Sequence, residues 1–147
     1  MKQIVLTLIA LMMSAGVFAQ ETECISKELD GSLTLRVTGS GRNRTDAIEQ
    51  AKKQAVYDVL FNGVIKGNHD YNMRPIMTEV NARERYQDYF DIFFMDRGEY
   101  SKYVSMEDKK FLSTRTTKKN YRQESRTVTV RVLVPQLKAR LKEDGLL

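Results

Sequence analysis

The stretch Val37-Thr38-Gly39-Ser40-Gly41-Arg42-Asn43-Arg44-Thr45 has the outline of a phosphate cradle, with two glycines between an alternating apolar run and an alanine-rich one. A Walker loop ends in Gly-Lys-Ser/Thr, because the lysine reaches the phosphates and the hydroxyl holds Mg²⁺. Here Gly41 is followed by Arg42-Asn43-Arg44-Thr45. A dinucleotide fingerprint requires a third glycine and a parallel βαβ unit, and neither is present. What remains is a strand-to-helix turn whose backbone N–H groups can hold an anion, flanked by Arg42 and Arg44. The alternative is structural: glycines permit a tight turn and the helix packs flat behind it. The structural reading is preferred, with Arg42 and Arg44 kept as a candidate anion site.

Other chemistry has little raw material. His69 is the only histidine and Cys24 the only cysteine, far apart in the chain. Metal sites need clustered ligands at short spacing, so neither a metal nor another cofactor is expected. A Cys/His or Ser/His nucleophile needs a positioned partner. Glu84 and Asp88 share a helical spacing, and paired acids at about 5 or 6.5–9.5 Å hydrolyse glycosides. Two acids on a helix surface do not make an active site, so no catalytic residue is assigned and the chain is not expected to be an enzyme.

Charge is unevenly placed. Residues 79–108 hold eight acids and four bases, a net of −4. Residues 109–131 hold eight bases and one acid, a net of +7, with Lys118, Lys119 and Arg122 at the middle. Two solvated faces of one domain account for such blocks, and blocks of opposite sign also steer partners or neighbouring copies together. The basic segment, with Arg42 and Arg44, is the candidate surface for an anionic glycan or lipid head group. Nucleic acid is not an expected partner of an exported chain.

Export is read from the first residues. Met1-Lys2 is followed by an apolar run from Ile4 to Met13 and then by Val17-Phe18-Ala19, small at the −3 and −1 positions. This is the pattern of a secretory signal peptide spanning residues 1–19. The mature chain of 128 residues would carry 23 basic and 19 acidic side chains, a net of +4. It holds no second apolar run long enough to span a bilayer. The expected location is the periplasm or the exterior, including a peripheral position at the outer membrane. With one cysteine no intrachain disulfide forms, which leaves Cys24 free or bridged between chains.

The elements that would position these groups follow from periodicity. Residues 20–31 read as a flexible N-terminal segment and 32–147 as a single domain. Leu33, Leu35 and Val37 alternate with Ser32, Thr34, Arg36 and Thr38 as in a half-buried strand. Thr45 reads as the cap of a helix from Asp46 to Phe61 that presents Ala47, Ala51 and Ala55 and stops at Gly63. After a loop from Lys66 to Pro75, a second helix runs from Ile76 with Tyr86, Tyr89, Phe90, Phe93 and Phe94 on one face and ends at Gly98. Tyr100 to Ser105 reads as an edge strand. Phe111–Thr117 and Tyr121–Val134 read as a long hairpin with one wet side, and Pro135 opens a last helix. The fold class is α+β: a small antiparallel sheet with a long C-terminal hairpin and two to three helices packed on one face.

The strand ending Val37-Thr38-Gly39-Ser40-Gly41, the helix with Ala47, Ala51 and Ala55 and the late Thr/Val-rich strand resemble a bacterial envelope family. Its members are small outer-membrane lipoproteins and the N-terminal domain of flagellar T-ring proteins. The resemblance covers Leu33 to Leu60 and, loosely, Thr127 to Leu141. It implies a non-catalytic α+β domain at the cell envelope, often in an assembly. The chain departs from that pattern in having Thr22-Glu23 before Cys24 in place of a lipobox, and in the segment from Lys66 to Tyr103. The expected role is protein–protein contact with an envelope protein or by self-association; the alternative is a module for anionic glycans or lipid head groups. Intact mass of the exported protein is expected to give an N-terminus at Gln20; a retained Met1, or a diacylglycerol mass on Cys24, would overturn the assignment of the leader.

Overall fold

The computed structural model describes residues 22–67, 72–107, 115–120 and 123–147. A six-stranded sheet carries the helices on one face and is α+β in class. Its strands are β1 (Thr22–Lys27), β2 (Leu33–Gly41), β3 (Lys66–Gly67), β4 (Val104–Met106), β5 (Arg115–Asn120) and β6 (Gln123–Val132). The spatial order is β3-β1-β2-β6-β4, with β5 also beside β6. Every pairing is antiparallel except the two-residue contact of β1 with β3. β6 is the axis: it pairs with β2 from Leu33↔Val132 to Gly41↔Glu124, and with β4 and β5 along its other edge.

The period-two pattern explains this pair. Leu33, Leu35 and Val37 of β2 and Val128, Val130 and Val132 of β6 are all buried on the helix side. On the opposite side Thr38 bonds Thr127 at 2.8 Å and Ser40 bonds Ser125 at 2.7 Å, hydroxyl to hydroxyl across the strands. Cross-strand polar pairs of this kind stabilise a solvated sheet face.

Residues 20–31, expected to be flexible, instead contribute β1. Thr22 and Cys24 are buried, and the backbone pairs with β2 from Thr22↔Val37 to Lys27↔Leu33. A tight turn joins the two strands. The Glu28 N–H donates to the Ser32 carbonyl at 2.9 Å, Gly31 adopts φ 85°, and Asp30 accepts from the Ser32 N–H at 2.9 Å. Thr-x-Cys carries too little apolar contrast for periodicity to register as a strand.

Helix α1 (Arg44–Tyr57) begins one residue before the expected cap. The cap is Asn43, whose side-chain oxygen accepts from the Asp46 N–H at 2.9 Å. Ala47, Ala51 and Ala55 are completely buried against the sheet. The glycines matter through proximity. Neither Gly39 nor Gly41 is among the positive-φ residues, and the strand runs on through Gly41 where the sequence suggested a tight turn. A Cβ built on Gly39 would lie 2.2 Å from the Ala47 carbonyl oxygen and 2.3 Å from the Ala51 nitrogen, and one on Gly41 would lie 2.6 Å from the Ala47 nitrogen. The helix backbone therefore rests on the strand backbone.

α1 continues as a π-turn over Asp58–Asn62 and stops at Gly63, φ 76°. Beyond it the expected long helix from Ile76 is replaced by two short ones, α2 (Ala82–Arg85) and α3 (Gln87–Phe93), separated at Tyr86. Ile76 and Met77 stay outside a helix, their N–H groups bonding the Val59 and Leu60 carbonyls at 3.1 and 2.8 Å. Tyr100, expected in an edge strand, lies in a 3₁₀ turn over Glu99–Tyr103 that buries its ring; only Val104–Met106 pairs with β6. Part of the expected Lys66–Pro75 loop is ordered by β3 and by the Val64↔Met73 bridge. Val134, expected on β6, opens the last helix α4 (Val134–Glu143), with Pro135 in its first turn.

The Gly39 contact sets a stability expectation. Gly39→Ala and Ala51→Leu should each cost about 1–3 kcal/mol by overpacking. Asn43→Ala should cost about 0.5–2 kcal/mol as a lost cap, while the exposed Thr45→Ala stays within about 0.5 kcal/mol. Urea unfolding of the four variants checks this, and equal stability of Gly39→Ala and wild type would refute the backbone contact.

Candidate functional site

The candidate anion site lies where β2 hands over to α1. Arg42 is almost fully exposed, its side chain 93% accessible, and Arg44 is half-buried. Helix N-termini attract anions because their first N–H groups lack partners within the helix. Here the chain supplies its own anion. One oxygen of the Asp46 carboxylate accepts from the Arg42 backbone N–H at 2.9 Å and lies 3.7 Å from the Arg42 Nε. That backbone bond is the main reason the Asp46 carboxyl titrates below its ordinary range, followed by the Gln50 side chain. Asn43 caps the Asp46 N–H, and the Asp46 carboxylate is turned back onto the residue before the cap. A phosphate placed there would face a carboxylate.

The register brings the second group of candidate residues to the same end of the sheet. Gly41 pairs with Glu124, which pairs with Lys119; Ser40 pairs with Ser125, which pairs with Lys118. Lys118 and Lys119 of β5 therefore stand two strands from the Gly39–Gly41 segment. Between them Glu124 forms an ion pair with Arg126 on the helix side of the sheet, where both side chains are largely buried. Arg122 and His69 lie outside the described residues. Glu84 and Asp88 fall on different helices, either side of the break at Tyr86, and both are exposed. Among the described residues no group of three or more His, Cys, Asp or Glu side chains is placed to hold a metal.

No protein-family model, curated protein or solved structure matches this chain. The site is therefore judged on geometry alone.

Several polar groups that composition does not single out are buried and fully engaged. Asp58 is buried in the π-turn, and its carboxylate accepts from Thr22 Oγ1 at 2.5 Å, Gln54 Nε2 at 2.9 Å and Asn62 Nδ2 at 2.7 Å. It fastens the start of β1 to the end of α1. The spacing Gln54, Asp58, Asn62 is a polar row on one helical face, and that row was the available signal. Tyr100 is fully buried and its hydroxyl donates to the Glu49 carboxylate; burial first, then this bond and the Glu49 charge, push the phenol well up. Tyr89 donates to Asp144 at 2.5 Å, and Arg140 Nε donates to the same carboxylate oxygen at 2.8 Å, which ties α3 to α4. Around them Phe61, Phe90, Phe93 and Phe94 form edge-to-face contacts with centroids 4.9–6.1 Å apart. The aromatic stripe is core.

Because the Asp46 carboxylate already faces this helix start, millimolar inorganic phosphate should leave the melting temperature unchanged, and Arg42→Ala should stay within about 0.5 kcal/mol of wild type, as exposed substitutions do. A phosphate-induced rise in melting temperature, which binding to the folded state produces, that Arg42→Ala removes would reinstate the loop as an anion site.

Proposed function

We propose that this chain is an exported, non-enzymatic domain of the bacterial cell envelope that works through protein–protein contact, in an envelope assembly or with copies of itself. The export part rests on the pattern of residues 1–19. Among the described residues no helix is long and apolar enough to cross a membrane.

The observation that carries the contact part is on α3 and just past its end. Phe90 and Phe93 bury one side of this helix in the core. Ile92 and Met95, three residues apart, are 69% and 58% exposed on the outside. Val80, before α2, is 83% exposed. Apolar side chains held by a packed helix and rimmed by charge, here Asp88 and Asp91, suit a protein partner. A second reading has its own observation: the register that sets Lys118 and Lys119 at the same end of the sheet as Arg42, two strands away. That cluster would recruit anionic glycans or lipid head groups by charge.

A capture experiment from envelope fractions separates the two readings. For protein contact, one defined protein remains bound at high salt and is lost with Ile92→Asp/Met95→Asp. For the second reading, polysaccharide or lipid is captured only at low salt and lost with Lys118→Ala/Lys119→Ala, because exposed charges are screened beyond about 10 Å at 0.1 M salt. Capture unaffected by either double variant would refute both.

A further inference from the structure

We propose a binding site for a small amphiphilic anion at the end of the sheet opposite the Gly39–Gly41 segment. A cavity of about 400 Å³ opens there, lined by Lys27, Leu33, Met73, Val134, Pro135 and Lys138 among others. Its size falls within the about 300–1,000 Å³ usual for small-molecule sites. It is built from elements far apart in the chain: the end of β1, the start of β2, the strand-like segment at Met73 and the first turns of α4.

Two features of its lining select the ligand. The first is apolar. Leu33 and Val134, both buried core residues, line its depth, and Met73 and the exposed Pro135 extend the apolar wall. The second is charge. Lys27 and Lys138 come from different elements and border the same cavity, and neither has an ion-pair partner among the described residues. The acids of the adjoining turn are already used. Glu28 accepts from Ser26 Oγ at 2.9 Å and Thr34 Oγ1 at 3.1 Å, and lies 4.0 Å from Arg131. Asp30 accepts from both the N–H and the hydroxyl of Ser32. Two cations with no ion-pair partner among the described residues, beside an apolar recess, raise the local concentration of anions. An apolar portion then gains by covering Met73 and Pro135, at about 25 cal/mol per Å² removed from water. The matching chemistry is a phosphate or carboxylate head bearing an aliphatic part, either free or at a bilayer surface.

Octyl phosphate below its micelle concentration is the probe, followed by amide shifts of the mature chain. Saturable shifts centred on Gly31, Leu33, Met73 and Val134 are expected. Inorganic phosphate and octyl glucoside, each carrying half of the chemistry, should produce no saturable shift there. Lys27→Ala/Lys138→Ala should weaken binding by about tenfold or more, the loss of about 1.4 kcal/mol, whereas Lys142→Ala, also on α4 but outside the cavity, should not. Sedimentation with phosphatidylcholine vesicles, with and without phosphatidylglycerol, distinguishes the source. Lysine-dependent binding to the anionic vesicles indicates a bilayer lipid, and binding of the monomer alone indicates a free ligand. No saturable shift with octyl phosphate, equal affinity in the Lys27/Lys138 double variant, or equal shifts with inorganic phosphate would overturn the proposal. None of these outcomes depends on Ile92, Met95, Lys118 or Lys119.

Discussion

The contact of one backbone on another at Gly39 governs the rest of the molecule. A strand residue with a side chain normally holds a packed helix at a distance set by that side chain. At Gly39 there is none, and the peptide groups of Ala47 and Ala51 occupy the position a Cβ would take. The helix in turn offers only methyl groups at Ala47, Ala51 and Ala55, all completely buried. Both partners are small at matching positions, so their requirements are mutual. Enlarging either side forces the helix off the sheet, since interiors are packed too densely to absorb extra atoms.

That placement determines where α1 ends. Starting over Gly41, the helix reaches the start of β1, where Asp58 meets Thr22. A carboxylate in that position costs free energy unless every lone pair is used. Thr22, Gln54 and Asn62 supply three neutral donors. The π-turn over Asp58–Asn62 brings Gln54 and Asn62 to the same oxygen, Asp58 Oδ1. The carbonyls of Val59 and Leu60 then take the N–H groups of Ile76 and Met77. One close approach thus bears on the register of β1, the irregular end of α1 and the non-helical course of the segment at Ile76 and Met77.

Legibility in the sequence tracks how far each element depends on partners distant in the chain. β2, α1, β6 and α4 carry their own signals: alternation in Leu33–Val37 and Val128–Val132, alanines four apart, and Pro135 at a helix start. These were readable, as was the placement of helices on one sheet face. β1 was not, because Thr22 and Cys24 are strand residues only by virtue of β2 and Asp58 beside them. The segment from Ile76 was misread for a related reason. Tyr86, Tyr89, Phe90, Phe93 and Phe94 do have helical spacing, but the helix begins only at Ala82 because Ile76 and Met77 are bonded to α1. On sequence alone Gly39 and Gly41 suit either a turn with positive φ or a close backbone approach, and the structure shows the approach, with neither φ positive. For the candidate site, Arg42, Lys118 and Lys119 were visible as charge, but that they share one end of the sheet follows from the β2–β6–β5 register. Lys27 and Lys138, 111 positions apart, had no local signal that they border one cavity.

The two ends of the sheet handle charge in opposite ways, and this bears on where recognition is to be sought. At the Gly41 end, basic groups meet acids of the chain: Arg42 with Asp46, and Arg126 with Glu124. An incoming anion must compete with those carboxylates, which lowers the gain from each arginine despite its exposure. At the Leu33 end the acids Glu28 and Asp30 are spent on the β1–β2 turn, and Lys27 and Lys138 have no ion-pair partner among the described residues. An anion meeting them competes with no ion pair among the described residues. The end that looks like a phosphate loop is thus the more self-sufficient of the two. Electrostatic availability, more than the presence of glycine and arginine, marks the end able to take a ligand.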